Sequence, residues 1–154
     1  MKNSNLLIET KTFSELSVPK IYEMYRFRID VFVVERDCVY TEVDGKDFES
    51  LHLFIKKNEE LIGYARIIPP GLKYEHDVAI GRVIVKKEYR KQKIGLILME
   101  NALKVAKNQW PTCDIRLSAQ AHLEHFYNLV GFKRITDNYL EEKLPHVGMK
   151  YFEK

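Results

Sequence analysis

A group of cations just before a helix-like segment suits the binding of an anion. Five of the eight residues from 86 to 93 are cationic: Lys86, Lys87, Arg90, Lys91 and Lys93. A β-branched run, Val78 to Val85, precedes them, and apolar residues at helical spacing follow from Ile94 to Lys107. Because the first-turn N–H groups of a helix lack intrahelical partners, this order predicts a phosphate site. The simpler alternative is a solvated loop in an ordinary strand–helix unit.

Two motifs resemble those of a known superfamily. The segment RKQKIG, from Arg90 to Gly95, resembles the R/Q-x-x-G-x-G/A pyrophosphate loop of the GNAT superfamily of acyl-CoA-dependent N-acyltransferases. Residues 125–132, HFYNLVGF, resemble the F-Y-x-x-x-G-F segment that ends the core of these enzymes. Lys93 stands where the family has its first glycine, so the loop must bend without the freedom of glycine.

Four further stretches resemble the ElaA-type branch of this superfamily: Arg28 to Glu35, Ile80 to Val83, Ala119 to Leu123, and Pro145 to Met149. That branch has no well-established substrate. The resemblance therefore implies a reaction type and leaves the acceptor open.

The resemblance implies acetyl-CoA as co-substrate. The pyrophosphate is expected on the N–H groups of the 92–95 turn, with Arg90 and Lys91 adding charge. The pantetheine arm is expected to pair with the backbone of the strand before the turn, where an N–H near Ile84 or Val85 polarises the thioester carbonyl. The expected donor-binding residues are Val83, Ile84, Val85, Arg90, Lys91, Gln92, Lys93, Ile94, Gly95 and Tyr127. Gly95 also has a simpler interpretation, as an ordinary helical glycine.

Tyr127 matches the usual acid tyrosine of the family and is the candidate general acid for the departing thiolate. The alternative is a core tyrosine whose hydroxyl bonds backbone. For the general base, Glu35 is the first choice, followed by His122 and His146. Glu35 has the alternative of a solvated charge or a salt bridge with Arg28 or Arg66.

Five polar residues are candidates for the acceptor pocket: Arg28, Asp44, His52, Arg66 and Arg82. His52, Arg66 and Arg82 could instead pair with the acids of residues 42–49. If that acidic loop borders the site, it favours a cationic acceptor, which the resemblance implies is a small-molecule or peptide amine. His122 and His125 could face one metal ion, but no third ligand lies nearby, so no metal is expected.

The elements that position these residues follow from periodicity. Strands are predicted at 6–13, 52–55, 61–68, 78–85, 115–119, 132–135 and 147–152, with Lys57 to Glu60 as a hairpin turn. Helices are predicted at 19–35, from Ile94 onward, and at 121–130, where Gly131 suits the C-cap. Residues 31–34 would serve equally as a strand, and residues 36–50 read as a loop. Together, these elements predict a single α/β (α+β) domain over residues 1–154. Its mixed six- or seven-stranded sheet is flanked by three to four helices, which matches the GNAT-like fold.

Composition restricts the class of protein. A chain of 154 residues, 45% apolar and 31% charged, is typical of one globular domain, and the N-terminus lacks a signal-peptide pattern. No apolar run reaches the length of a membrane span, so a cytoplasmic location is expected. The net charge of +3 is too small to predict nucleic-acid binding. Cys38 and Cys113 are too few for a disulfide framework.

Three alternatives stay open at this point. The fold could hold CoA without turnover, or the 86–93 turn could contact nucleic-acid phosphates. Arg28 to Arg36 also resembles the start of acyl-homoserine-lactone synthases, although those enzymes are longer than this chain. Exposed apolar residues in the late strands could support a homodimer.

Overall fold

A computed structural model describes residues 5–153 as one mixed sheet with helices on both faces. The strands are β1 Leu6–Thr12, β2 Leu51–Lys57, β3 Glu60–Ile68, β4 Val78–Val85, β5 Ile115–Gln120, β6 Phe132–Arg134, β7 Tyr139–Glu141 and β8 Leu144–Tyr151. The α-helices are α1 Val18–Ile29, α2 Ile94–Gln109 and α3 Glu124–Leu129. The mixed sheet flanked by helices that the sequence predicts is confirmed, with eight strands in place of six or seven.

The strand order is β1-β2-β3-β4-β5-β8-β6, and β7 pairs with β8 outside this path. Each neighbouring pair is antiparallel except β4 and β5, which run parallel. The predicted hairpin between β2 and β3 turns at Asn58 and Glu59, which have φ angles of 51° and 68°. Positive φ at both central residues matches the right-handed twist of the two strands.

The helix predicted over residues 19–35 is continuous but changes geometry. It is α-helical from Val18, after a Ser17 cap that accepts from the Lys20 N–H, and then forms a π-helical segment over Asp30–Glu35. The strand alternative for residues 31–34 is therefore wrong. π-Helical turns occur frequently at functional sites, and this one ends beside the cavity described below.

Two cores hold the layers together. The larger lies between one face of the sheet and α2, whose Leu98, Met99 and Ala102 are fully buried. The smaller lies between the other face and α1, where Met24 packs with Tyr64 and other apolar side chains. Both faces of the central strands are covered, which explains why β3 is buried along nearly its whole length.

The C-terminal third differs from prediction in two places. Residues 121–130 form a 3-10 turn, Ala121–Leu123, followed by the short helix α3. Residues 139–141 form the strand β7, which was expected to be loop, and a turn at Glu142 and Lys143 joins it to β8. Gly131 ends α3 with a φ of 106°, as expected of a C-cap.

Candidate active site

The sheet opens between its two parallel strands. β4 and β5 pair only at Val78 with Ile115 and at Ala79 with Arg116, after which they separate. The edge of β4 that faces β5 is consequently unpaired from residue 80 to residue 85. A cavity of about 320 Å³ lies at this opening, and Gly81 and Val83 line it. An unpaired strand edge presents backbone donors and acceptors that can pair with an extended ligand.

A β-bulge shapes this edge. Tyr64 pairs with Ile84 and Arg66 with Gly81, so two residues of β4 oppose one of β3. Arg82, in the bulge, has a φ of 51°, a strained value for a residue with a side chain. Its guanidinium lies 2.7 Å from a carboxylate oxygen of Glu42, which secures it to the 36–50 loop.

The N-terminus of α2 is open to an anion. No side chain caps it and no acidic residue lies in its first turn, in contrast to the Ser17 cap of α1. Lys91 and Lys93 adopt φ angles of 64° and 65°, so Lys93 takes the left-handed conformation that the family assigns to glycine. Such strain is concentrated at ligand clamps. Gln92 and Ile94 lie in the same turn, with Ile94 buried in the core and Gln92 bonded to the Glu88 carbonyl.

Gly95 has a packing role. A Cβ at this position would lie 3.2 Å from the Phe126 ring, closer than ordinary contacts allow. The lack of a side chain therefore lets α2 approach α3, which favours the packing explanation over close approach of phosphates.

Arg90 is bound by Glu35. The guanidinium donates to both carboxylate oxygens, at 2.6 and 3.0 Å, and to the Val85 carbonyl at 2.9 Å. The hydrogen bonds from Arg90 lower the pKa of the Glu35 carboxyl. A carboxylate with a lowered pKa that is already paired is a poor base for an amine, so the first choice of base does not suit this environment. The salt bridge expected with Arg28 or Arg66 is also wrong, because Arg90 is the partner.

Tyr127 reaches the cavity with an unpaired hydroxyl. The ring is 7% exposed and packs edge-on against Phe126 and Phe132. Within residues 5–153 the hydroxyl makes no hydrogen bond to the protein, and Tyr127 lines the cavity. Burial raises the pKa of the phenol well above its usual value, which keeps the hydroxyl protonated. The alternative of a hydroxyl bonded to backbone is therefore not observed.

Of the three candidate bases, His146 is the one that lines the cavity. It lies on β8, 6% exposed, and its Nδ1 lies 2.8 Å from the Leu144 carbonyl oxygen. Because a carbonyl can only accept, Nδ1 must carry the proton, which leaves Nε2 with a free lone pair in the neutral ring. Nε2 lies 3.6 Å from a carboxylate oxygen of Glu141. His122 is exposed on the 3-10 turn and does not line the cavity.

Arg28, His52 and Arg66 do not reach the cavity, which corrects their assignment to the acceptor pocket. Arg28 is fully buried and bonds Glu42 and Asp47, each at 2.7 Å. Arg66 forms two bonds to Asp44 and one to Asp47. The pairing alternative is therefore observed for Arg66. Arg28 is paired in the same way, since an unpaired buried charge would be costly.

His52 is the neutral member of this ion-pair cluster. One ring nitrogen bonds the Tyr64 hydroxyl at 2.7 Å and the other the Asp47 carbonyl at 2.9 Å. Burial lowers the pKa of His52. Burial alone would raise the pKa of Asp44, but the bonds from Arg66 and the Lys46 N–H outweigh it, and this pKa is well below its usual value. Asp44 and Arg82 form the side of the cluster that lines the cavity.

Sequence reasoning missed several cavity residues. Ser118 on β5 donates to Glu141 at 3.0 Å and also bonds the Tyr139 hydroxyl, so β7 supplies part of the wall. Arg36 also lines the cavity, between the rings of Phe32 and Tyr40 at 5.3 and 5.4 Å. The four-residue spacing of Phe32 and Arg36 was the available signal, since residues four apart on a helix are neighbours, whereas Tyr40 lies in the loop that follows.

The described residues form neither a metal site nor a membrane span. Between residues 5 and 153, no group of three or more histidine, cysteine, aspartate or glutamate side chains is arranged to hold a metal ion. In the same part of the chain, each helix is too short or too polar to cross a bilayer.

Known proteins share this architecture. Residues 12–152 match the family described as Acetyltransferase (GNAT) domain. Protein ElaA of Escherichia coli is 43% identical over 138 residues, 88% of this chain and 90% of ElaA. A crystal structure of an acyl-CoA N-acyltransferase from Pseudomonas aeruginosa is 38% identical, with a TM-score of 0.89 over 96% of this chain and 99% of that one.

A CoA-dependent acyl-homoserine lactone synthase, BjaI, also superposes, with a TM-score of 0.78 over 97% of this chain and 84% of that one. Its identity of 16% shows a common fold alone.

Proposed function

The chain belongs to the GNAT acetyltransferase family, in its ElaA-like branch, and we propose that it transfers the acetyl group of acetyl-CoA to a primary amine. The acceptor is a small molecule or a peptide. The observation that carries this proposal is the unpaired edge of β4, which lines the same cavity as Tyr127 and His146.

The chain offers a fitting surface for each part of the donor. Backbone groups of Val83, Ile84 and Val85 would bind the pantetheine arm as an added strand. The uncapped N-terminus of α2 would receive the pyrophosphate, with Lys91 and Lys93 supplying charge. Acetyl-CoA, when bound, contributes a thioester that is activated toward amines.

Proton transfer is divided between two side chains. Nε2 of His146 takes a proton from the acceptor nitrogen as this nitrogen bonds the acetyl carbon, and Glu141 stabilises the resulting charge. Backbone N–H groups at the β4 edge stabilise the negative charge that develops on the carbonyl oxygen. Tyr127 gives its hydroxyl proton to the sulfur as the carbon–sulfur bond breaks, and solvent returns it. The products are an N-acetylated amine and a free thiol.

Release of free thiol from acetyl-CoA in the presence of a panel of amines tests the proposal. At about one hundred times its dissociation constant, acetyl-CoA should stabilise the fold by about 2.7 kcal/mol, which thermal unfolding detects. We expect this stabilisation and amine-dependent thiol release. Stabilisation without turnover for any amine would contradict a transferase and leave a CoA-binding protein.

A further inference from the structure

One arginine in the cavity differs from the other seven of the chain. Within residues 5–153, seven arginines have a carboxylate oxygen within 4.0 Å, whereas Arg36 has none. Its guanidinium also makes no hydrogen bond to the described chain, and its Nε atom is buried. Arg66 and Arg116 have a buried unpaired Nε as well, but their other nitrogens face carboxylates. Arg36 is therefore a positive charge without its anion.

The position of this guanidinium is fixed by packing. It lies between the rings of Phe32 and Tyr40, and the hydroxyl of Tyr40 bonds Glu42 of the ion-pair cluster. Aromatic rings hold a guanidinium through its face and leave the N–H groups at its edge free for a planar anion. Lys46, which also lines the cavity, adds a second cation without a carboxylate within 4.0 Å in residues 5–153.

The same cavity also has an acidic lip, formed by Glu141 and Glu142, and His146 lines the cavity as well. This lip lies close to the segment of Arg36, because Cys38 Sγ, two residues after Arg36, lies 3.7 Å from the Glu142 carbonyl oxygen. A cation and a pair of carboxylates thus border one cavity of about 320 Å³.

From this arrangement we infer that the acceptor is a small amino carboxylate, an amino acid or short peptide whose carboxylate binds Arg36 while its amine lies against His146 and the acidic lip. The inference rests on the proposed function, because it takes the amine at His146 as the nucleophile. A carboxylate suits Arg36, since its two oxygens match the N–H groups of a guanidinium.

Matched ligand pairs test this inference by binding, without need of turnover. Each amino acid or dipeptide of a broad panel is titrated by calorimetry into protein saturated with CoA, alongside the amine that lacks its carboxylate. For at least one pair we expect the carboxylate member to bind about tenfold or more tightly, as a hydrogen-bonded charge requires. Arg36→Gln should abolish this difference, and the control Arg26→Gln, an exposed arginine on α1, should preserve it.

Three results would overturn the inference: equal binding of both members of every pair, no binding by any carboxylate, or weaker CoA binding in Arg36→Gln with the preference intact. The last result would assign Arg36 to a donor phosphate. If Arg36→Gln does not fold, Arg36→Met retains an apolar side chain between the two rings and serves in its place. A carboxylate preference that depends on Arg36, with no acetyl transfer, would refute the proposed function and leave the anion site standing.

Discussion

The buried ion-pair cluster and the cavity beside it use similar side chains in opposite ways. In the cluster, the guanidinium groups of Arg28 and Arg66 face the carboxylates of Glu42, Asp44 and Asp47 at hydrogen-bonding distances. In the cavity, a guanidinium, an imidazole nitrogen and a phenol lack hydrogen-bonding partners in residues 5–153: Arg36, His146 Nε2 and Tyr127.

The comparison distinguishes residues that stabilise the fold from residues that contact a ligand. Buried polar groups are normally satisfied within the fold, so those of the cluster explain the position of the 36–50 loop and of the β4 bulge. Groups that stay unsatisfied at a cavity indicate contacts made by a ligand. Substitutions in the cluster should consequently change stability, and substitutions in the cavity should change binding and turnover.

Arg28→Gln should give the largest effect on the scaffold side. It removes one of the two arginines that bond each of the buried carboxylates of Glu42 and Asp47, so we expect a loss of about 3–5 kcal/mol in the free energy of unfolding. Urea denaturation measures this loss. The neighbouring exposed Arg26→Gln should change stability by no more than about 0.5 kcal/mol. Equal effects of the two substitutions would break the comparison.

His146→Gln should give the largest effect on the cavity side. Without a base at Nε2, we expect turnover of a good amine substrate to fall about a hundredfold or more, with unchanged affinity for CoA. Steady-state thiol release and calorimetric titration of CoA measure the two quantities. His122→Gln serves as the control and should retain activity, since His122 is exposed outside the cavity. The reverse pattern would move the base to His122.

The pH dependence of the free energy of unfolding should reflect the ionisation of residues in the ion-pair cluster. Because the pKa of His52 is lowered in the folded state, the unfolded chain takes up the additional proton as the pH falls below about 6.5. The contribution of His52 to the free energy of unfolding is therefore complete above that pH and decreases below it, by at most about 1.4 kcal/mol per pH unit. Asp44 and Asp47, whose pKa values are also lowered, add a second loss below about pH 4.

Urea unfolding between about pH 7 and about pH 5 isolates the histidine contribution. His52→Gln should be less stable at neutral pH but should show a shallower slope over this range. An unchanged slope would mean that another group is responsible.

Glu35→Gln should have the smallest effect, and it tests a residue that belongs to neither the ion-pair cluster nor the cavity. The Glu35 carboxylate accepts hydrogen bonds from Arg90, the arginine of the predicted phosphate loop. If phosphate and Glu35 compete for this guanidinium, we expect CoA to bind up to several-fold more tightly, because a half-exposed ion pair contributes no more than about 1 kcal/mol. Calorimetric titration of CoA measures the change. Weaker binding would mean that Glu35 positions Arg90 for the donor.

Local patterns predicted well the two elements on either side of the basic turn. The strand at 78–85 and the helix from Ile94 agree with the structure, because the change from β-branched residues to helical spacing is abrupt. β7 was missed because it has three mostly exposed residues and pairs only with β8.

Long-range pairing limited the prediction of the acceptor side. Glu35 was chosen as base for its place at the end of the first helix, which the resemblance puts beside the site. Its partner Arg90 lies 55 positions away, and no sequence pattern joins the two. The fold brings carboxylates to Arg28 and Arg66 but not to Arg36. Which arginine remains unpaired is decided by tertiary structure.

Two buried tyrosines offer the most direct test of the separation between scaffold and site. Tyr64 bonds His52 at 2.7 Å within the cluster, whereas the Tyr127 hydroxyl has no partner in residues 5–153 and lines the cavity. The measurement is unfolding free energy together with turnover for Tyr64→Phe and Tyr127→Phe. We expect Tyr64→Phe to lose about 1–3 kcal/mol with unchanged turnover, and Tyr127→Phe to lose about a hundredfold in turnover with unchanged stability. A Tyr127→Phe protein that is less stable but fully active would contradict the central claim.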